Sequence, residues 1–378
     1  MSFVSVRWSS IRPTDWRFIL GGLLVSRAAL MLVGLIAPLV LREPNRHLEL
    51  LPGFPFLEMW AQWDAEHYVD IAVEGYSYDP GTYSNVIFFP LFPWLIRLLS
   101  LPFGPLDQQA AALVGLLIAN VALFVGLLYL AALVARDISL SVARRTVLYV
   151  LVLPTTLFLS SVYAESLFLA TAAASLYHAR RGEWYRCGLA GGLAALTRPF
   201  GFLLLVPIAI EMFRQRAPSR AWPAIALVPA GLAMYFGYLW LELGDPLLYF
   251  KAGEVWGRGF HWPWETLLGY LRGPLVGFDW PYSWLDLISM LAMVTILALA
   301  WRRVPLSYAA YTGVGLLFAL STGVAWFSAS RHALAIFPVI VMLAVLGERR
   351  AIGWPWLILS TVLALAFMAR VAVGYWVA

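Results

Sequence analysis

Cysteine and lysine are nearly missing from this chain of 378 residues, which holds one of each, Cys187 and Lys251. A single thiol excludes both a disulfide framework and a cysteine-based zinc site. Charge is also scarce, at 12% of residues, where soluble domains carry about 25%. No HExxH, GxGxxG or Walker-type loop occurs, and the five histidines are scattered. A zincin centre is thereby excluded, and a nucleotide-sugar or ATP site has no support. Apolar residues fill the chain instead: 62% are hydrophobic and the mean hydropathy is +0.78. The apolar runs recur near the length needed to cross a hydrocarbon layer about 30 Å thick. An all-α, polytopic membrane protein follows, read as a single integral domain over residues 1–378.

The first run, Phe18 to Leu41, is too long for the core of a cleavable signal and predicts a first spanning helix. The net charge of +5 rests on arginine. In this setting the arginines read as topology markers and do not point to nucleic acid. They cluster as Arg7/Arg12/Arg17, Arg136/Arg144/Arg145, Arg180/Arg181/Arg186, Arg214/Arg216/Arg220, Arg302/Arg303 and Arg349/Arg350. Short basic loops stay cytoplasmic, so these sixteen belong on one side. That placement predicts spans near 18–41, 110–134, 146–163, 165–179, 187–197, 200–213, 222–242, 284–301, 306–325, 333–347 and 354–377. The total is about eleven crossings of the cell membrane, with the N-terminus inside and the C-terminus outside. The apolar segment 86–104 carries Pro90, Pro93 and Arg97, and reads as a helix lying in the interface. Two larger outer loops remain, 42–109 and 243–283, both rich in Trp, Tyr, Pro, Asp and Glu.

Between Glu58 and Asp79 stand six carboxylates (Glu58, Asp64, Glu66, Asp70, Glu74, Asp79) and no Lys or Arg. The spacing predicts an amphipathic helix with Trp63, Glu66/His67, Asp70 and Glu74 along one face. Trp60, Asp64, Tyr68 and Ile71 fall on the adjacent face, and Gly75 ends the helix. Such a helix holds carboxylates just above the hydrocarbon, where the head group of a lipid carrier sits. Asp64 is either the proton acceptor of a transfer reaction or a plain helix-surface carboxylate. Glu66, Asp70, Glu74 and Asp79 either contact sugar hydroxyls or are solvated. No DxD pair occurs, so no metal or other cofactor is expected, although this much negative charge leaves a divalent ion open.

Intramembrane ions are the second informative class, since each costs about 2.5–3.5 kcal/mol at a helix centre. Glu165, Arg198, Arg331 and His332 all fall near the outer ends of predicted spans. Arg198 or Arg331 would hold a lipid phosphate, or would snorkel to head groups. Arg27 lies inside the first span and needs a structural partner. Lys251, Glu254, Arg258 and His261 in the second loop form either an acceptor rim or part of an interfacial belt.

"WDAEHYVDIAVEGY" followed by "FFPLFPWLIRLL" resembles the signature of the PIG-V-like family, the GPI mannosyltransferase 2 type. The matching residues include Trp63, Asp64, His67, Tyr68, Ile71, Ala72, Gly75, Tyr76, Phe88, Phe89, Pro90 and Pro93. "FLSSVYAESLF" is similar to a second family signature, with Tyr163, Glu165 and Ser166, while "LTRPFG" and "SRHALAIFP" match more loosely. The compact chain is more similar to the family's prokaryotic members. The resemblance implies a C-type glycosyltransferase fold with interfacial helices and a catalytic aspartate in the first outer loop. It implies a polyprenyl-phosphate sugar donor, typically of mannose, and an acceptor on a glycolipid, glycan or protein. Asp64 is then the base. His67, Tyr68, Tyr76, Glu66, Glu165, Tyr163, Arg198, Arg331 and His332 are the expected substrate contacts. A transporter or lipid-carrier flippase is the rival class, but the chain shows no internal repeat and its polarity gathers in one outer loop.

Overall fold

The computed structural model describes residues 13–41, 49–104, 106–271, 284–322 and 329–377. Arg7 and Arg12, which orient the predicted N-terminus, lie outside them, as do part of each outer loop and the end of the span predicted at 306–325. Among the described residues there is no strand; the chain is a succession of helices. They are α1 (Pro13–Val40), α2 (Pro55–Glu58), α3 (Ala65–Val73), α4 (Leu91–Ser100), α5 (Gln108–Asp137) and α6 (Leu140–Val152). Next come α7 (Glu165–Arg180), α8 (Trp184–Ala195), α9 (Leu205–Arg214), α10 (Leu227–Leu243), α11 (Leu248–Val255) and α12 (Pro263–Leu271). The last are α13 (Trp284–Ala300), α14 (Leu306–Ser321), α15 (His332–Ala335), α16 (Pro338–Leu346) and α17 (Arg350–Ala372).

Five segments are long and apolar enough to cross a membrane: Asp15–Val40, Gln108–Asp137, Ser219–Leu243, Leu285–Arg303 and Arg350–Ala372. A sixth arises if Ala329–Ala335 and Pro338–Leu346, bent by 94°, count as one. The protein is therefore multi-pass, while the number eleven does not follow from helix length and composition. The run predicted as one span at 146–163 is broken for a local reason. Leu153 precedes Pro154 and takes an extended ψ of 140°, so α6 stops at Val152. A residue before proline is pushed out of the helical region by the ring. A 3-10 turn at Thr156–Leu159 follows, and α7 starts only at Glu165. The segment 86–104 forms the ten-residue α4, too short to span, as an interfacial helix would be.

α7 lies at the centre, packed against α5 on one side and α8 on the other, and α8 in turn packs against α10. Most of α7 is buried. α1 and α17 pack together at the periphery, where Leu24, Val25, Leu32, Ile358, Leu359 and Val362 are exposed. Apolar side chains turned outward on peripheral helices suit a hydrocarbon solvent, where backbone groups must be satisfied within each helix. α8 and α10 approach closely because glycines meet. A Cβ on Gly231 would stand 2.2 Å from the Gly192 carbonyl oxygen, and one on Gly192 would stand 2.5 Å from that of Leu227. Without a hydrophobic force between helices in lipid, such small-residue contacts supply the packing.

The two ends of the bundle differ in chemistry. At one end Arg180 donates to both carboxylate oxygens of Asp137 (3.0 and 2.9 Å) and of Glu211 (2.9 and 3.1 Å). Ser307 donates to Glu211 at 2.7 Å and Tyr308 to Asp137 at 2.8 Å, joining α5, α7, α9 and α14. Arg144 meets Asp15 at 3.4 Å at the same end. Members of the Arg136, Arg180 and Arg214 clusters thus share one end through direct contacts, and Asp64 with the start of α7 occupies the other.

The glycine crossing yields a paired test. Gly231→Ala is expected to cost about 1–3 kcal/mol by overpacking. Gly237→Ala on the same helix meets nothing within 4 Å and should be neutral or stabilising by up to about 1 kcal/mol. Thermal unfolding of both variants in one detergent checks the difference.

Candidate active site at one end of the bundle

α3 begins at Ala65, with Asp64 as the residue immediately before it. Trp60 and Trp63 therefore lie outside the helix and do not share its faces, contrary to the periodic reading. The predicted stop is observed, with Gly75 at φ +97° just beyond the helix, a conformation that glycine adopts without steric cost. Trp63 has φ +61°, a left-handed backbone that is uncommon for a bulky residue and costs about 1–3 kcal/mol. Its surroundings hold it there. Its ring meets Trp376 edge-to-face with centroids 5.5 Å apart. On either side of it, Tyr163 donates to the Gln62 carbonyl (2.9 Å) and accepts from the Asp64 backbone N–H (3.1 Å). The Val162 N–H reaches the Trp60 carbonyl at 2.9 Å. The loop before α7 thus fixes the turn that aims Asp64.

Asp64 accepts from Arg331 through Oδ2, at 2.9 Å, with about a fifth of its side chain exposed. Among the described residues its other carboxylate oxygen, Oδ1, takes part in no hydrogen bond or ion pair. Arg331 also places its Nε 2.8 Å from Glu165 Oε1, and Arg198 pairs with the same oxygen. Arg198–Glu165–Arg331–Asp64 is therefore an alternating row of two guanidiniums and two carboxylates with no net charge. The Arg331 guanidinium lies among Phe158, Tyr163 and Trp376, with ring centroids 5.1, 5.3 and 5.8 Å away. Cation–π attraction of this kind is worth about 2 kcal/mol once desolvated. The sharp bend between α15 and α16 carries Arg331 to this position from far along the sequence.

Other predicted residues are placed differently. Tyr68 packs against Phe88, Phe92 and Tyr163 beside the row, and burial pushes its hydroxyl well above the usual tyrosine range. His67 stacks on Phe88 at 4.6 Å and meets the edge of Trp256, the residue just after α11, and it does not hydrogen-bond Asp64. His332 is buried next to Arg331 against the Phe200 ring. Tyr76 stands in a separate aromatic group, donating to the Phe88 carbonyl at 2.7 Å and packing on Tyr235 and Tyr238. Glu66 is half-buried on α3 and makes no side-chain contact with the row. Glu58 is structural, with its carboxylate accepting from the Leu50 and Leu51 N–H groups and from Gln62. Arg27 donates twice to the Thr156 hydroxyl, at 3.2 and 3.1 Å, so its partner is neutral. In the second loop Lys251 pairs with Asp245, while Trp256 reaches the first loop. Trp376, Phe158 and Trp256 shape the site without having been singled out from sequence. Nothing distinguishes them there from the chain's many other aromatics. Among the described residues no three His, Cys, Asp or Glu side chains group closely enough to hold a metal ion.

Asp70 has its carboxyl raised, first by burial and then by Glu66 and Glu74. A raised carboxyl binds its proton more tightly when folded, so its contribution to stability is present in acid and lost as pH rises through the raised value. Asp70→Asn should therefore raise Tm at pH 7, with the gain vanishing below about pH 4, the ordinary carboxylate range. Unfolding scans across that range read the effect.

Residues 54–216 match the mannosyltransferase (PIG-V) family. Over 155 residues the chain is 32% identical to GPI alpha-1,6-mannosyltransferase 2 of Mus musculus, a match covering 38% of this chain and 30% of the mouse protein. The Cricetulus griseus protein of the same name is 31% identical over 153 residues, covering 38% and 29%. The chain thus spans less than a third of the length of these relatives. Among solved structures, ArnT from Cupriavidus metallidurans in the apo state superposes with a TM-score of 0.52 at 14% identity, over 89% of this chain and 62% of that one. That likeness concerns the fold. Residues 54–216 thus carry the mannosyltransferase (PIG-V) pattern, and the fold is similar to that of the Cupriavidus metallidurans protein over 89% of the chain.

Proposed function

We propose that this protein is a membrane glycosyltransferase that moves a hexose, mannose by its family likeness, from a polyprenyl-phosphate donor to an acceptor hydroxyl on the extracytoplasmic face. The observation that carries the reading is Asp64, aimed by a strained turn and held through one oxygen only. In the reaction the acceptor oxygen forms a bond to the anomeric carbon from the face opposite the phosphate. The bond from that carbon to the phosphate oxygen breaks, and its electron pair leaves with the polyprenyl phosphate. Configuration inverts, and the hydroxyl proton passes to Asp64, a transfer worth typically 10²–10⁴-fold in rate. Arg198 and Arg331 stand beside the base and supply the donors that a departing phosphate needs. Both are already engaged by carboxylates, so phosphate would compete with Glu165 and Asp64 for them.

Tyr163 positions the base through its backbone, while Tyr68 and the ring of His67 wall the site. A glycolipid, glycan or protein serves as acceptor, and no cofactor is invoked.

The test uses purified wild type and Asp64→Asn with radiolabelled polyprenyl-phosphate-mannose and a membrane lipid extract. Wild type should transfer label. The variant should still fold, since Arg331 retains Glu165 and the new amide oxygen can accept from it, and lose about 10² or more in rate. Equal transfer by both would remove Asp64 as base, and no transfer by wild type would remove the mannosyl donor.

A further inference from the structure

At the basic end, opposite Asp64, a cavity of about 360 Å³ opens between α1, α5, α6 and the end of α7. Its apolar lining is made by Ala131, Ala132 and Ala143 with Leu128, Ile19 and Val147. Its lining also holds Arg136, Arg144 and Arg181 with one carboxylate, Asp15. Arg181 is taken up by Glu183 at 2.7 Å and by Tyr177 at 3.1 Å, and so shapes the wall. The other two are more exposed: the Arg144 side chain is 48% exposed and touches Asp15 at 3.4 Å, and that of Arg136 is 39% exposed, with one nitrogen donating to the Arg180 carbonyl at 2.8 Å and its Nε 3.8 Å from Asp137. Small side chains between helices, with guanidiniums at the rim, make a slot for an acyl chain under an anionic head group. Basic pockets of this form between spanning helices take phosphate-bearing lipids.

We propose that this cavity binds one anionic phospholipid of the basic-side leaflet, its phosphate held by Arg136 and Arg144 and an acyl chain lying over Ala131 and Ala132. The charge complement fixes the class: a zwitterionic head group would offset the gain from the rim by its own cation. The volume lies within the range of about 300–1,000 Å³ typical of small-molecule sites. The site is far from the sugar chemistry, and its role is to seat the N-terminal half of α1 against α5 and α6. Neither arginine belongs to the row around Asp64, so the site stands whether or not the transferase reading holds.

The experiment takes full-length protein, delipidated in detergent, and titrates phosphatidylglycerol, phosphatidylcholine or soluble glycerol phosphate while reading Tm and bound lipid by native mass spectrometry. Phosphatidylglycerol should raise Tm and remain as one bound copy, and the other two should not. In Arg136→Gln/Arg144→Gln the titration midpoint should rise by about tenfold or more, given about 1 kcal/mol per arginine near lipid phosphate. Ala132→Leu, which intrudes on the slot, should weaken binding with the rim intact. Should Ala132→Leu fail to fold, the double arginine variant, altered only at exposed side chains, decides alone. Equal effects of phosphatidylcholine, or a midpoint unchanged in the double variant, would overturn the proposal. An equal effect of glycerol phosphate would overturn the lipid and leave a free-anion site.

Discussion

The buried carboxylate of Glu165 is the group on which the Asp64 end of the molecule depends. It is 1% exposed, and two guanidiniums reach the same oxygen. An isolated carboxylate taken from water into such a place costs several kcal/mol even after relaxation. Here the cost is offset by Arg198 from the loop after α8 and Arg331 from the bend before α16. Arg331 then has a second face for Asp64. One buried anion therefore draws the first loop, the start of α7, the end of α8 and a distant bend to one point. Removing either arginine partner would leave a charge uncompensated, and deletions of that kind cost about 3–5 kcal/mol.

The same logic is repeated at the opposite end with the signs reversed. Arg180 is the central ion there, shared by Asp137 and Glu211, and Ser307 and Tyr308 complete the carboxylates' hydrogen bonds. Between the two ends the interior is largely apolar, with close backbone approaches between helices and Arg27 held by the Thr156 hydroxyl. A bundle in hydrocarbon gains little from burying apolar surface, so small residues and a few satisfied polar clusters carry its specificity. That division explains why so few charges suffice for a chain of this size.

Much of the site could be read from the chain. Asp64, Glu165, Arg198 and Arg331 were each marked by local oddity, a carboxylate among tryptophans or an ion inside an apolar run, and Tyr163 by its place in the second family-like motif. The structure brings these five together. Periodicity misplaced the start of α3, because a residue's ability to sit at φ +61° depends on tertiary contacts such as the Tyr163 bridge. It also merged α6 with the turn that follows, where Pro154 was the available signal. The glycine crossing of α8 and α10 and the Arg180 cluster were invisible for a different reason. Both are pairings between distant segments, and a single sequence records the members without recording the pairs. Tyr76, named by a family-like motif, and Glu66, named by the acidic helix, show the converse, since the fold keeps both out of contact with the row.

α7 carries Glu165 as its first residue and Arg180 as its last. Sixteen residues at a rise of 1.5 Å give a rod about 24 Å long. Each tip is locked by ion pairs to other helices, and the locks have opposite polarity. The acidic tip at the helix start and the basic tip at its end also complement the helix dipole. A rod pinned at both tips can neither slide along its axis nor turn about it without separating buried opposite charges. The bond that aims Asp64 thus stands on a fixed post, and any movement that opens the site to substrate falls to the loops and bends around α7.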